Sequence, residues 1–423
     1  MTMAASLIDD GPVPGDDQGS TVGTSPAATG AKPTRARVPA VIWILLGANL
    51  LVRSAGFAYP FMAFHVAGRG HGAHAVSLVL AAFGVGWVVG QLVCGGLVDR
   101  VGCRSTLVVT MGLSTVVLMA LAGAETFSTL LIGAALAGAV FDALRPVTGA
   151  IVTALLPEPE IRARVDAWRF AIVVNVGAGI AGGVGAMLAD LIGTPGLFVI
   201  NSIACAVVAA IGVWCLPRDR VQRMTSSKAS YRQALRDIRL VLLFFSSVAT
   251  LTTVIGLYAV IPLLMTAHGM SASAYSLVLV VDAVAITALT PLITPWLSRR
   301  VAVRARLDIM AAAAGWALVS MAAAAFARNT VSFSVAVAAI APAVIAWFVV
   351  AADILHRIAP PAQLGRYHGL WGSALAVAAV VAPVLGSASL ISGGTQLVGA
   401  TTAAVGAIGV ALCLPLARVI APR

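Results

Sequence analysis

The chain is written as long apolar runs broken by short polar connections. Runs long enough to cross a hydrocarbon core, about 20 residues each, fall at 39–64, 75–97, 105–125, 128–153, 168–190, 194–216, 240–265, 274–297, 305–326, 331–354, 368–391 and 395–416. The pattern predicts an all-α integral membrane protein of twelve transmembrane helices. Only the connection after residue 216 is long. The predicted organisation is therefore a disordered cytoplasmic tail (1–38), a six-helix bundle (39–216), a cytoplasmic linker (217–239), a second six-helix bundle (240–416) and a short cytoplasmic C-terminus (417–423).

Composition changes this picture little. Charged residues make up only 10% and hydrophobic ones 60%, whereas soluble domains carry about 25% charged residues. Residues 1–38 are rich in Pro, Gly, Ser, Thr and Asp and have no apolar h-region, so they read as a tail and not a signal peptide. The five cysteines (94, 103, 205, 215, 413) show no CxxC spacing, which predicts neither disulfide nor metal. His71 and His74 stand at i, i+3 without a carboxylate or Cys beside them, a poor metal pair.

The net charge of +11 would suggest nucleic acid if it were clustered on one surface. Its placement argues for a bilayer. With the N-terminus inside and the spans alternating, 23 of the 27 Lys and Arg fall in cytoplasmic segments, only Arg69 and Arg328 fall outside, and Arg53 and Arg145 lie within spans. That bias orients the protein in a cell membrane with both termini cytoplasmic. The basic linker at 217–239, with an amphipathic helix expected near 230–239, reads as a partner of the inner leaflet.

The second half repeats the first. Pro60, Pro159 and Arg164 return as Pro262, Pro361 and Arg366, each 202 residues later, and Ser77-Leu-Val-Leu80 returns as Ser276-Leu-Val-Leu279. Two repeats of six spans place a substrate between the halves near the midplane.

Between spans 2 and 3 the chain reads Gly95-Gly96-Leu97-Val98-Asp99-Arg100-Val101-Gly102-Cys103-Arg104-Ser105-Thr106-Leu107. This Gly-flanked charged turn resembles the signature of the major facilitator superfamily of transporters, with Cys103 at a usual basic position. Span 4 contains Asp142-Ala-Leu-Arg145-Pro-Val-Thr148-Gly149, similar to that family's Arg-x-x-x-Gly motif, with Thr148 where Gln is usual. Span 5 contains Asn175-Val-Gly177-Ala-Gly179-Ile-Ala-Gly182-Gly183-Val-Gly185, which resembles the Gly-rich motif of antiporters, with Gly182 replacing its Pro. Residues 177–182 also satisfy GxGxxG, but no strand precedes them, so a dinucleotide reading fails on context. The resemblance implies a drug:proton-antiporter-like, twelve-span transporter. It also implies that Asp99 meets the start of span 11, near Arg366-Tyr367-His368-Gly369, in one state of the transport cycle.

Several residues carry candidate chemistry. Asn49, Arg53, Phe57 and Pro60 are spaced for one face of span 1. A mid-span Arg must face an acid or a cavity, so Arg53 is either locked in an ion pair or in contact with substrate or proton. Asp142 and Arg145 are spaced to pair at i, i+3, and with Asp282 they are the candidates for proton coupling. Asp282 lies in span 8 with no Lys or Arg in any predicted second-half span interior. It is either a proton carrier or a carboxyl hydrogen-bonded to a neighbouring helix. Asn49, Arg53, Phe57, Asn175 and Trp347 are the predicted cavity lining, in an aromatic, sparsely charged interior that includes Tyr59. Gly95, Asp99, Arg100, Gly102 and Arg104 form a predicted conformational latch in which Arg100 and Arg104 hold Asp99, although leaflet anchoring suits Arg104 equally.

No P-loop or other cofactor motif is present and no nucleophile–base–orienter cluster, so an enzyme is not expected. The expectation is a monomeric, proton-coupled carrier that exports a small, partly hydrophobic compound. Proton-linked uptake of a metabolite or anion through Arg53 and Arg145 is the alternative. A non-transporting sensor would carry a folded soluble domain, which neither terminus is long enough to supply.

Overall fold

Each apolar run becomes a helix because a backbone in hydrocarbon must satisfy its own N–H and C=O groups. The computed structural model describes residues 38–218, 231–270 and 272–420. Among them, eleven helices are long and apolar enough to cross a membrane: Ala40–Gly68, His74–Val101, Cys103–Ala122, Phe127–Leu155, Pro159–Gly182, Met187–Cys215, Ile238–Gly256, Leu277–Val303, Leu307–Ala324, Thr330–Ile358 and Pro361–Ile420. The first ten are spans 1 to 10. The last has 60 residues and would measure about 90 Å if straight, three hydrocarbon thicknesses. It breaks at Gly393 and Gly394, where φ is −157° and 64°. Spans 11 and 12 lie on either side of that break, and the protein is a twelve-span all-α membrane protein.

Small residues set the closest approaches. A Cβ on Gly86 would collide with the Ala135 carbonyl, and one on Gly90 with the Ala139 carbonyl, so spans 2 and 4 touch backbone to backbone. Gly138 answers from span 4, its face lying on the Phe83 carbonyl.

Three expectations change. Span 1 is not one continuous face: it consists of Ala40–Ser54 and Ala58–Gly68 with a break at Ala55–Phe57. Span 4 breaks between Phe127–Val140 and Leu144–Leu155, with Asp142 at φ 57°. The continuous helical face that the i, i+3 spacing of Asp142 and Arg145 implied therefore does not exist, and Asp142 turns independently of the helix that follows. Span 5 begins at Pro159, not 168, and passes through a π-turn at Trp168–Val173. Its charged first turns were legible only as a loop, yet Arg162, Asp166 and Arg169 are all buried.

The linker's amphipathic helix also shrinks. Its described part is a four-residue helix, Tyr231–Ala234, followed by Asp237, whose carboxylate accepts from Arg239 N and caps span 7. Residues 219–230, and residues 1–37 of the tail, lie outside the described residues. Burial raises the Asp237 carboxyl, but hydrogen bonds from Arg239 and Tyr367 outweigh it and hold it below the usual carboxylate range. Tyr231 tucks under span 2 and donates to the Leu92 carbonyl. Burial pushes its hydroxyl up to about 12, so it remains a donor.

Candidate transport site

Three clusters, two polar and one aromatic, interrupt the aliphatic interior. The first joins spans 1 and 4. Asp142 accepts from Arg53, 89 residues away, and from Arg145 Nε at 2.5 Å. Gln91 of span 2 donates to the Asp142 carbonyl at 3.1 Å. Arg145 does pair with Asp142, but the pair is not self-contained. One carboxylate serves two guanidiniums, which leaves a net positive charge inside the first half. The positive φ of Asp142 makes this possible, because it aims the carboxylate away from its own helix and towards span 1.

An aromatic stack lies between the halves. Phe170 of span 5 stacks on Phe348 of span 10 at 5.0 Å and meets Trp371 of span 11 edge-on at 5.8 Å. Trp347 packs on Phe348 and Trp371 and is buried, with its Nε1 lacking a hydrogen-bond partner among the described residues. Arg145 and Arg169 lie over Phe170, their guanidinium carbons 5.8 and 4.1 Å from its centroid. Asp282 of span 8 is buried in the second half, and its Oδ1 has no partner among the described residues.

The other predicted lining residues scatter. Asn49 is buried with its Oδ1 unpartnered. Phe57 packs with Phe61, Ala181, Leu197 and Ala204 inside the first half, because the break in span 1 carries it away from Arg53. Asn175 bonds its own helix through Ala171 O at 2.7 Å. Tyr59 packs on Phe83, Trp87 and Phe141.

The third cluster closes one end of the molecule, where span 2 finishes and span 11 begins; we call this the Asp99 end. Asp99 accepts from the backbone N–H of Gly365 at 2.6 Å and of Arg366 at 3.0 Å, and from Arg366 Nη1 at 3.1 Å. Free N–H groups at a helix start suit a carboxylate. Gly95 and Gly369 permit the approach, since a Cβ on Gly95 would strike the Gly365 carbonyl. Gly102, at φ 93°, ends span 2 in a conformation that favours glycine. The guanidinium holding Asp99 is that of Arg366. Arg100 is exposed, and Arg104 donates to Gly212 and Val213 carbonyls at the end of span 6. Proximity in sequence misled here: Arg100 is exposed in the last turn of span 2, and Arg104 follows the turn at Gly102 and reaches span 6.

Beside the Asp99 contact lies a network that sequence reasoning missed. Arg162 reaches Asp353 at 3.8 Å, and Arg357 bonds the same carboxylate at 2.7 Å. His356 bonds Asp166, and Thr153 sits against both His356 and His368. The available signal was Asp353-x-x-His356-Arg357 straddling the end of the predicted span 331–354, with Arg162-x-x-x-Asp166-x-x-Arg169 straddling the start of the predicted span 168–190.

A family model described as Major Facilitator Superfamily matches residues 42–352. The chain belongs to this superfamily. Its twelve spans are similar to the human organic anion transporter MFSD10 (16% identity, TM-score 0.67, covering 88% of this chain and 98% of that one). They also resemble FucP in the outward conformation (15%, 0.68, 89% and 98%). A third likeness is to the proton:xylose symporter XylE bound to 6-bromo-6-deoxy-D-glucose (14%, 0.71, 90% and 95%). The protein is a multi-pass membrane transporter for small molecules and not an enzyme.

Proposed function

We propose that this superfamily member is a proton-coupled, alternating-access carrier that exports a small, partly hydrophobic compound from the cytoplasm across the cell membrane as a monomer. The aromatic stack of Phe170, Phe348, Trp347 and Trp371, built from both halves and offering an unpartnered indole N–H, carries the substrate reading. A ligand held there touches elements of both halves, so its binding is sensitive to their relative position. The distribution of acids supports proton coupling. Asp142 is compensated by two guanidiniums, whereas Asp282 forms no ion pair among the described residues. A carboxyl that lacks a cation can exist neutral or charged at modest difference in cost, which suits a group that must pick up and release a proton. FucP and XylE are named proton symporters, which fits the coupling ion. The loop-charge bias places the Asp99 end and both termini in the cytoplasm.

A second reading is proton-linked uptake of a small organic anion. The net positive Arg53–Asp142–Arg145 cluster favours it, with Arg53 still partly exposed. The likeness to a named organic anion transporter points the same way. Inverted vesicles loaded with a pH dye and challenged with a compound panel separate the two. Export by antiport predicts that added compound enters as protons leave, so the lumen becomes more alkaline, whereas a proton-linked uptake carrier moves compound and proton together, so added compound enters with protons and the lumen acidifies. Asp282→Asn should abolish uphill movement while substrate binding persists. Uphill transport by Asp282→Asn with the parent pH dependence would remove Asp282 as the carrier.

A further inference from the structure

The hydrogen bonds around Thr153 form an ordered chain across the seam between the halves. His368 Nε2 of span 11 lies 3.0 Å from Thr153 Oγ1 of span 4. Thr153 Oγ1 lies 2.6 Å from His356 Nδ1 of span 10, and His356 Nε2 lies 2.8 Å from Asp166 Oδ2 of span 5. Thr153 has a single hydroxyl hydrogen. If it points at His356, every group finds a partner with both rings neutral: His368 donates to Thr153, Thr153 to His356, and His356 to Asp166. Thr153 also lies 2.8 Å from the Gly149 carbonyl, but that carbonyl already accepts a helical N–H and does not require the hydroxyl.

The surrounding charges select this neutral arrangement. The charged groups facing the two rings are Asp166, Arg162 and Arg169 from span 5 and Asp353 from span 10, with each ring facing the other at 5.3 Å, while Arg357 is exposed and turns to the Val301 carbonyl. Two guanidiniums, Arg162 and Arg169, balance two carboxylates, Asp166 and Asp353, before any ring is protonated. The His356 and His368 side chains are both buried, and Gly149 leaves no space beside His368, since a Cβ there would overlap the ring. A proton on either ring adds an uncompensated charge to a dry seam and breaks the donor order at Thr153. Separation of the halves relieves both penalties, because water then reaches the rings.

We propose that His356 and His368 form a proton-binding site that is empty when the Asp99 end is closed and occupied when it is open, so that acid on this side opens it. The site lies apart from Asp282 and does not depend on Asp282 carrying the transported proton. Each proton bound only in the open state raises the open-to-closed ratio by up to about tenfold per pH unit.

The test is a distance measurement between spin labels on the full chain in lipid nanodiscs. Labels at Leu155→Cys and Arg304→Cys, exposed positions at this end of the two halves, go into a background whose five cysteines are replaced. On going from pH 8 to pH 5.5 the parent should gain a long-distance population, with a slope near one proton. The double variant His356→Gln/His368→Gln keeps an amide donor for Asp166 and an acceptor for Thr153 but cannot titrate. Its distance distribution should lose that slope. Should the double variant not reach the membrane, each single His→Gln variant must lower the slope or remove it. A parent that closes or stays unchanged on acidification overturns the proposal, as does a parent-like slope in the double variant or in both singles.

Discussion

Asp99→Asn isolates the contact that ties span 2 to span 11. In the closed end the carboxylate accepts three hydrogen bonds, two from the first N–H groups of a helix and one from Arg366. Asparagine fills the same volume, and its oxygen still satisfies one N–H, but its amino group faces the remaining donors. A hydrogen bond to a charged group contributes about 1.5–3 kcal/mol against about 1 for a neutral one. The helix terminus adds about 0.3–2 kcal/mol for a carboxylate. The closed end therefore loses about 2–4 kcal/mol, while in the open end both side chains are hydrated and little changes. With tenfold per 1.36 kcal/mol, the open-to-closed ratio should rise by roughly 30- to 1000-fold. The reporter is Ala163→Cys in the cysteine-replaced background, because Ala163 is buried among second-half side chains at the same end. Its labelling by an impermeant maleimide from the side of the Asp99 end should accelerate by about that factor, up to the limit set by the fraction already open, and transport turnover should fall while substrate binding remains. An unchanged labelling rate would mean that the turn serves topology and does not latch the two halves.

Two further predictions concern backbone approach and buried charge. Gly95→Ala puts a methyl group against the Gly365 carbonyl and within 2.9 Å of Gly369 Cα, so spans 2 and 11 must separate, and the variant should reproduce the Asp99→Asn labelling. Gly112→Ala, which has open space around it, should leave labelling unchanged. Asp142→Asn leaves Arg53 and Arg145 facing each other without a counter-charge and should lower stability by about 3–5 kcal/mol, read as melting temperature in detergent. Arg53→Ala and Arg145→Ala should each cost less, because the other guanidinium remains on Asp142; equal losses in all three variants would show that the cluster does not share one carboxylate.

The sequence alone determined the features whose physics is local. An apolar run of about 20 residues has few stable forms in a bilayer other than a helix, so the twelve spans and the long connection after 216 were legible, as was the turn from Gly95 to Arg104. Gly86 and Gly90, four residues apart on span 2, form a small-residue face that marks a close helix contact without naming its partner. Tertiary structure decided what depends on distant groups. The first turns of span 5 carry Arg162, Asp166 and Arg169, which belong in water unless Asp353 and His356 compensate them from about 190 residues away. The i, i+3 spacing pointed Arg145 to Asp142, but that Arg53 shares the same carboxylate follows only from the break at Asp142. Arg366 replaced Arg100 and Arg104 on Asp99 because the partner of a buried charge is chosen by which helix end packs against it, and neighbourhood along the chain carries no information about that.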